Sequence, residues 1–225
     1  MNAMAREPAP VEPVGALPWG LAPQLALREF AADDRDDVVA MHSDPRLRAH
    51  LIDDHPLHDG AVTSVLLERL MAFYRSHEGL GIWHATALQP QPRFAGWFSL
   101  MPLASQPGEL EMGSRLLPAM WGRGIVFEGC KMLLDHAFDD LRAPQVWSVC
   151  HPDNRSALAV LAALGFESVG VMPYDGVPSC HLRVGLNAWR AVRNTPRGTR
   201  LRQVLRPNAS GRQQSATVIS EGICP

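Results

Sequence analysis

The sequence predicts an α/β protein in which a mixed sheet carries helices on its faces. Hydrophobic residues make up 46% of the 225-residue chain and charged residues 20%, which is ordinary for a protein that buries a sizeable core. The predicted elements follow the order β-α-β-β-β-α-β-α-β-β, which is typical of helices packed on a sheet. The short run Gln145–Cys150 has the character of a strand buried on both faces.

The first part of the chain supplies the first strand and the helical segment that follows it, in which two helices are predicted. Residues 24–30 alternate apolar and polar side chains, which is the period of a half-buried strand. Residues 33–42 predict a helix with an acidic first turn, where the helix dipole favours carboxylates. The polar, histidine-rich stretch 45–60 predicts an irregular segment, and 61–77 predicts a helix with one apolar stripe.

Three strands and a long helix follow. Strands are predicted at 81–88 and 94–101, and the sequence QPQP between them marks a turn because proline is excluded from the interior of a sheet. A third strand at 109–117 runs into a turn that contains glycine. The helix after this turn extends to Leu141 and has its apolar residues on one face.

The last elements are the buried strand, a helix and a pair of strands. After the buried strand, Asp153 or Asn154 suits the N-cap of a helix, and Gly165 ends that helix. The remainder, to about Asn187, predicts two strands joined at Asp175-Gly176, a dipeptide typical of hairpin turns.

The chain is predicted to form one domain at 24–193 between two unstructured segments. A proline-rich, flexible leader is expected at 1–23, and an arginine-rich, disordered tail at 194–225. The net charge of −2 gives no general attraction to nucleic acid, although the tail leaves contact with RNA open. Exposed edge strands of such a sheet are compatible with a homodimer.

Composition favours a cytoplasmic protein without a metal. No apolar run approaches the roughly 20 residues that a membrane-spanning helix needs, and the N-terminal sequence lacks the pattern of a secretory signal. The four cysteines show no CxxC spacing, which fits free thiols in a reducing compartment, and Cys150 is interpreted as a core residue. The histidines and acids of 50–59 match no zinc pattern, so no metal is expected.

The most informative stretch joins the strand at 109–117 to the long helix. Gly122 and Gly124 allow close approach of a ligand to the backbone, and the helix start offers free N–H groups and a positive dipole end. Arg123 adds a cation, so the turn predicts a site for a diphosphate. It follows neither the Walker pattern nor GxGxxG, since position 127 is Phe.

With the sequence VWSVCHPDNRSALAVLAALGF downstream, the chain resembles the GNAT superfamily of acyl-CoA N-acyltransferases. It is most similar to the branch of the ribosomal-protein N-terminal acetyltransferases. The resemblance covers residues 24 to 193. It rests on four motifs in the family's order, which are Glu111-Met112-Gly113, Trp121-Gly122-Arg123-Gly124, Pro152-Asp153-Asn154 and Leu164-Gly165-Phe166.

The resemblance implies a mostly antiparallel sheet that splays between the strands at 109–117 and 145–150. The pantetheine arm of acetyl-CoA, the expected co-substrate, would lie in this gap. The residues implied to bind the coenzyme are Leu116, Leu117, Trp121, Gly122, Arg123, Gly124, Ile125, Val126 and Asn154. Val126 departs from the small residue that many relatives have there, and its bulk narrows the approach to the diphosphate.

The same resemblance implies direct attack of an amine on the thioester. Glu111 is the candidate general base, and the alternative is an ordinary solvated strand residue. The backbone N–H of Leu117 is the candidate donor to the developing oxyanion. Ala157 and Leu161 replace the serine and tyrosine that serve as acids in relatives, so no general acid is assigned.

Three functions remain open for the acceptor side. The first is acetylation of a protein or peptide N-terminus, the second is acetylation of a small amine such as an amino acid or aminoglycoside, and the third is acetyl-CoA binding without turnover. The acids and histidines of 50–59, which follow the first helix, are expected to line the acceptor site. The missing serine and tyrosine favour the third function, and Glu111 opposes it.

Overall fold

The structure, a computed structural model, describes residues 16–53, 55–103 and 108–205 and is built on one sheet. The strands lie in the order β1-β2-β3-β4-β5-β6-β8-β7. All neighbours are antiparallel except β5 and β6. The strands are β1 (Ala16–Ala22), β2 (Leu25–Glu29), β3 (Gly81–Ala87), β4 (Arg93–Pro102), β5 (Leu110–Leu116), β6 (Gln145–Cys150), β7 (Glu167–Tyr174) and β8 (Val177–Gly185).

Within residues 16–53, 55–103 and 108–205, seven α-helices cover the two faces of the sheet. They are α1 (Arg35–His42), α2 (Pro45–Arg48), α3 (Gly60–Tyr74), α4 (Ile125–Asp135), α5 (Arg155–Ala163), α6 (Leu186–Val192) and α7 (Arg197–Leu205). Short polar side chains begin several of them: the Asp59 carboxylate accepts from the Ala61 N–H at 2.7 Å, and Asn154 accepts from the Ala157 N–H at 3.1 Å. This confirms the predicted α/β class with helices on both faces. None of the described helices is both long and apolar enough to cross a membrane.

Two apolar cores lie on opposite faces of the sheet because neighbouring strand residues point in opposite directions. Trp97 of β4 packs in the smaller core with α1, α2 and α3. Phe98, the next residue, is fully buried in the larger core, which contains α4 and α5. The sheet therefore separates a face built by the N-terminal helices from a face built by α4 and α5.

Among the strands that the structure describes, the sheet divides at the single parallel pair. Strands β5 and β6 are in register only at Leu110↔Val146 and Glu111↔Trp147, whereas β6 pairs with β8 along its whole length. Strand β5 stays paired with β4 up to Leu116. The two strands thus part beyond Glu111, which confirms the predicted splay.

The structure corrects the prediction at both ends of the domain and in one loop. Strand β1 lies in the segment expected to be a flexible leader, and α7 lies in the expected disordered tail. Proline at helix position N1 and the Asp44 cap explain why α2 forms in a stretch predicted to be irregular. Residues 1–15 of the leader and 206–225 of the tail lie outside the described residues. The turn at Asp175-Gly176 does join β7 to β8, with positive φ at both positions.

Candidate active site

The turn after β5 presents backbone N–H groups at the start of α4. Gly122 and Gly124 have φ of 73° and 86°, in the left-handed region that favours glycine, and Gly124 is the N-cap. The first intrahelical bond runs from Phe127 N to Gly124 O at 3.0 Å. The amides of Ile125 and Val126, in the first turn before Phe127, therefore have no carbonyl of their own helix to bind, and they suit a phosphate.

Two side chains of this turn fold back onto the backbone. The Trp121 indole donates through Nε1 to the Leu116 carbonyl at 2.9 Å, and its ring is half exposed. Arg123 donates through Nε to the Ala119 carbonyl at 2.9 Å and lines a cavity of about 450 Å³. Both residues thus hold the shape of the turn, and Arg123 keeps its terminal nitrogens for a further partner.

The β5 edge that faces the gap is formed by alternate residues. The Leu117 N–H donates to the Ala95 carbonyl at 2.9 Å, and its own carbonyl accepts from Met120 N at 2.8 Å. Both backbone groups of Leu117 are therefore engaged, so the expectation that its N–H stabilises an oxyanion fails. Because backbone direction alternates along a strand, it is the Leu116 N–H that points toward the gap.

Glu111 lies at the point where β5 and β6 part. It is the last β5 residue in register with β6, and its carboxylate accepts a hydrogen bond from the Tyr174 hydroxyl at 3.2 Å. Burial raises the pKa of Glu111 above its ordinary value, and the nearby Asp175 adds to this, while the Tyr174 hydrogen bond opposes it. A partly buried carboxyl with a raised pKa is a candidate general base.

Tyr174 is a site residue that sequence reasoning missed. Burial, together with the adjacent Glu111, raises its pKa to about 12, so the hydroxyl stays protonated and keeps donating. Nothing in its sequence neighbourhood marks it, because it reaches Glu111 only through the β7–β8 hairpin, which is 63 residues farther along the chain. By contrast, the neighbouring Glu109 contacts the Trp147 indole and takes no part in this pair.

The face of β5 that bears Glu111 also bears a cluster of polar side chains from three elements. Arg115 forms a salt bridge with Asp53, donates to Nε2 of His42 at 3.1 Å and lies over the Trp97 ring at 5.1 Å. Burial lowers the pKa of His42 to about 4, so the ring is neutral. Since its Nδ1 donates to Val38 O and its Nε2 accepts from Arg115, His42 has no free nitrogen for use as a base.

A cavity of about 180 Å³ adjoins this cluster. It is lined by His42, Arg48, Leu51, Ile52, Asp53, His55 and Val177. Part of the predicted acceptor segment 50–59 therefore does line a cavity. The Asp53 carboxylate in this segment is paired with Arg115. Asp54 lies outside the described residues.

Asn154 and the cysteines complete the set of predicted residues. The Asn154 side-chain oxygen caps α5, which leaves its NH₂ group to donate elsewhere. Burial raises the pKa of Cys150 to about 11 and that of Cys130 to about 12, so neither thiol is a nucleophile at neutral pH.

One carboxylate–histidine group elsewhere in the described chain has ligand atoms close together. The ligand atoms of Asp34, Asp37 and His84 lie within 4.8 Å of one another. Arg28 donates two hydrogen bonds to Asp34, at 2.7 and 2.6 Å, and balances its charge. This group is therefore better described as an ion-pair network than as a metal site.

Comparison with known proteins gives one family throughout. The sequence model of a family described as the acetyltransferase (GNAT) domain matches residues 24–167. The chain is 25% identical over 164 residues to the FsC-acetyl coenzyme A-N(2)-transacetylase of Aspergillus fumigatus, with 69% of this chain and 68% of that protein covered.

Two solved structures illustrate the shared fold. Spermidine N-acetyltransferase from Vibrio cholerae, solved with CoA and spermine, superposes with a TM-score of 0.61 at 15% identity, covering 75% of this chain and 99% of that chain. A GCN5-related N-acetyltransferase from Brucella melitensis superposes with a TM-score of 0.62 at 18% identity, covering 77% and 80% of the two chains. At such identity the likeness concerns the fold alone.

Proposed function

The chain belongs to the acetyltransferase (GNAT) family and is an acetyl-CoA-dependent N-acetyltransferase. On this premise, we propose that it acetylates the N-terminal amine of a protein or peptide. In this proposal, Glu111 is the general base. The observation that carries the proposal is the position of Glu111. A carboxyl with a raised pKa lies where the gap between β5 and β6 opens. An amine entering from the cavity side and a thioester held in the gap would meet there.

The donor side is supported by an open strand edge beside an open helix start. Pantetheine contains two amides, which can pair with backbone groups such as the Leu116 N–H. The amides of Gly122–Val126 and the positive end of α4 suit the coenzyme diphosphate. The Asn154 NH₂ group, at the start of α5, is a further donor for the pantetheine arm. Each of these groups can donate to a polar part of coenzyme A.

The chemistry asks little of the side chains beyond alignment and one proton transfer. The amine nitrogen forms a bond to the acetyl carbonyl carbon, and Glu111 accepts the amine proton directly or through a water. The Leu116 N–H donates to the carbonyl oxygen as negative charge develops there. The carbon–sulfur bond breaks, and the thiolate leaves with the electron pair and is protonated from solvent.

The cavity of about 180 Å³ is the proposed acceptor pocket. Its apolar residues Leu51, Ile52 and Val177 can bury the side chain of the first residue of an acceptor peptide. Its polar residues can form hydrogen bonds with the backbone of the peptide's next residues. A pocket of this size holds the end of a chain and excludes a folded surface. That combination favours an extended N-terminus.

A small amine is the second candidate acceptor. It is supported by the relative from Aspergillus fumigatus, whose name describes acetyl transfer from coenzyme A to an N(2) position. The two acceptors share the donor site and differ only in what fills the pocket.

Release of free thiol from acetyl-CoA, measured across N-terminal peptides and small amines, tests both the activity and the acceptor. We expect peptides to give the higher kcat/KM. Replacement of Glu111→Gln should lower kcat by about 10²–10⁴ with little change in coenzyme affinity, because the amide cannot accept the proton but keeps the shape. Glu109→Gln is the matched control and should retain wild-type kcat, since Glu109 contacts Trp147 instead.

Three results would contradict the proposal. If small amines alone were turned over, the peptide acceptor would be wrong and the second candidate right. If Glu111→Gln kept wild-type turnover, another group would be the base. If coenzyme A bound without thiol release for any amine, the chain would be a binding module.

A further inference from the structure

Helix α7 packs against the coenzyme side of the domain, although the sequence predicts disorder there. It contacts α5, and its Arg200 is only 6% exposed. The Arg200 guanidinium lies 5.6 Å from the Phe127 ring of α4 and 6.0 Å from the Trp189 ring of α6. Stacking on two aromatic rings fixes the position of α7 relative to α4.

Arg197 lies one turn before Arg200, on the same side of α7, and reaches the glycine turn. A Cβ placed on Gly124 would lie 1.8 Å from Nη1 of Arg197 and 2.9 Å from its Cζ. The guanidinium therefore packs directly on the backbone of Gly124, the N-cap of α4. A side chain at 124 would have to displace the guanidinium, and the positive φ of 86° at this position favours glycine in any case.

The charge around this contact is unbalanced. Among residues 16–53, 55–103 and 108–205, no hydrogen bond or ion pair engages the Arg197 side chain, which is exposed. It lies at the positive end of the α4 dipole, where a cation is disfavoured. Glu128, the acid of the first turn of α4, accepts from the Gln24 N–H at 3.2 Å. An arginine, a helix start and the free amides of its first turn together suit an anion.

We propose that Arg197 is a coenzyme-binding residue that adds its guanidinium to the diphosphate site at the start of α4, with α7 held in place by Arg200. This assignment rests on the proposed role of the Gly122–Val126 amides. The backbone amides would donate to phosphate oxygens, and the guanidinium would donate to them through its fork of N–H groups. Arg123, whose Nε donates to Ala119 O, is the second cation at the turn.

The assignment also changes the meaning of the arginine-rich tail. An arginine used for nucleic acid should project away from the domain, together with others on one face. Arg200 is buried and the exposed Arg197 lies against the Gly124 backbone, so two of the tail's arginines contact the domain. These contacts favour a role of the described part of the tail at the coenzyme site over a role in nucleic-acid binding.

Isothermal titration with three ligands tests the proposal. The ligands are coenzyme A, 3′-dephospho-coenzyme A, which keeps the diphosphate, and pantetheine, which has no phosphate. Arg197→Ala should weaken the first two by about tenfold each, and should leave the affinity for pantetheine unchanged. Arg197→Lys should recover part of the loss, because it restores the charge without the fork.

Arg202→Ala is the matched control on the same helix, since Arg202 is exposed and its Nη2 donates to Thr199 Oγ1 at 3.3 Å. It should leave all three affinities unchanged. Equal affinity of wild type and Arg197→Ala for coenzyme A would overturn the proposal, and so would tighter binding, which would make Arg197 an obstruction. A loss confined to coenzyme A would assign Arg197 to the 3′-phosphate instead. If wild type bound no coenzyme A, the donor-site proposal itself would fail.

Discussion

Replacement of Tyr174→Phe removes one hydroxyl and tests whether Glu111 is the base. The hydroxyl donates to the Glu111 carboxylate at 3.2 Å and stabilises its charged form. Without this bond, the burial that already raises the pKa of Glu111 acts unopposed. The pKa should therefore rise further, and the acid limb of kcat/KM should move to higher pH.

The size of the shift follows from the geometry. A hydrogen bond to a charged group contributes roughly 1.5–3 kcal/mol, and O–H···O bonds are usually about 2.7–2.8 Å long. At 3.2 Å this bond belongs at the low end of that range. Since one pKa unit corresponds to about 1.4 kcal/mol, the acid limb should move up by about one unit. At pH values below the limb, kcat/KM should fall about tenfold, and at high pH it should be unchanged.

The assay is the pH dependence of thiol release at saturating acetyl-CoA. Tyr74→Phe is the matched control because Tyr74 is the other tyrosine of the chain and its hydroxyl donates to Ile82 O, away from Glu111. It should leave the acid limb in place, even if stability changes. An acid limb that stays put in Tyr174→Phe, or moves to lower pH, would refute the assignment of Glu111 as the titrating base.

Two further predictions concern stability. Gly129→Ala should lower Tm, because the new Cβ would lie 2.1 Å from Cζ of the fully buried Phe98 and overpacking costs about 1–3 kcal/mol. This cost exceeds the helix propensity that alanine adds, which is about 1 kcal/mol. A melting curve at or above the wild-type Tm would contradict this. Burial alone would raise the pKa of Asp34, but the hydrogen bonds from Arg28 and the Ala31 amide outweigh this effect and lower the pKa. Asp34→Asn should therefore lower the free energy of unfolding at pH 7 by about 1–3 kcal/mol. A lowered folded-state pKa gives stability that is present above the ordinary pKa and is lost as pH falls through the folded-state pKa. In urea unfolding near pH 3, the free energies of unfolding of wild type and Asp34→Asn should therefore differ less than at pH 7. An equal difference at both pH values would count against the ion pair.

Periodicity was sufficient to predict most of the sheet and both central helices. The strand at 145–150 and the Asn154 cap are local features, so the sequence shows them directly. Strand β1 was missed because β propensity is low near Pro13 and Pro18, and its pairing with β2 depends on the three-dimensional neighbour. Helix α7 was missed because its polar, arginine-rich sequence has no wide apolar face and depends on the packing of Arg200.

The candidate site divides in the same way. Glycines with positive φ and an acid on a strand leave a pattern in the sequence, so the turn and Glu111 could be predicted. Which backbone amide faces the gap depends on the register of β5 with β4, and one residue separates Leu117 from Leu116. Tyr174 and Arg197 approach the site from elements far along the chain, and no local spacing reveals such contacts.

The short register between β5 and β6 has a consequence for how the protein is handled. Few interstrand hydrogen bonds join β5 to β6, so a ligand that binds to both strands adds contacts between the two halves of the sheet. Binding to the native state alone raises the free energy of unfolding, by about 2.7 kcal/mol when the ligand is at a hundred times its Kd. The enzyme without bound coenzyme A should therefore be its least stable form, and adding coenzyme A to the buffer should slow its inactivation.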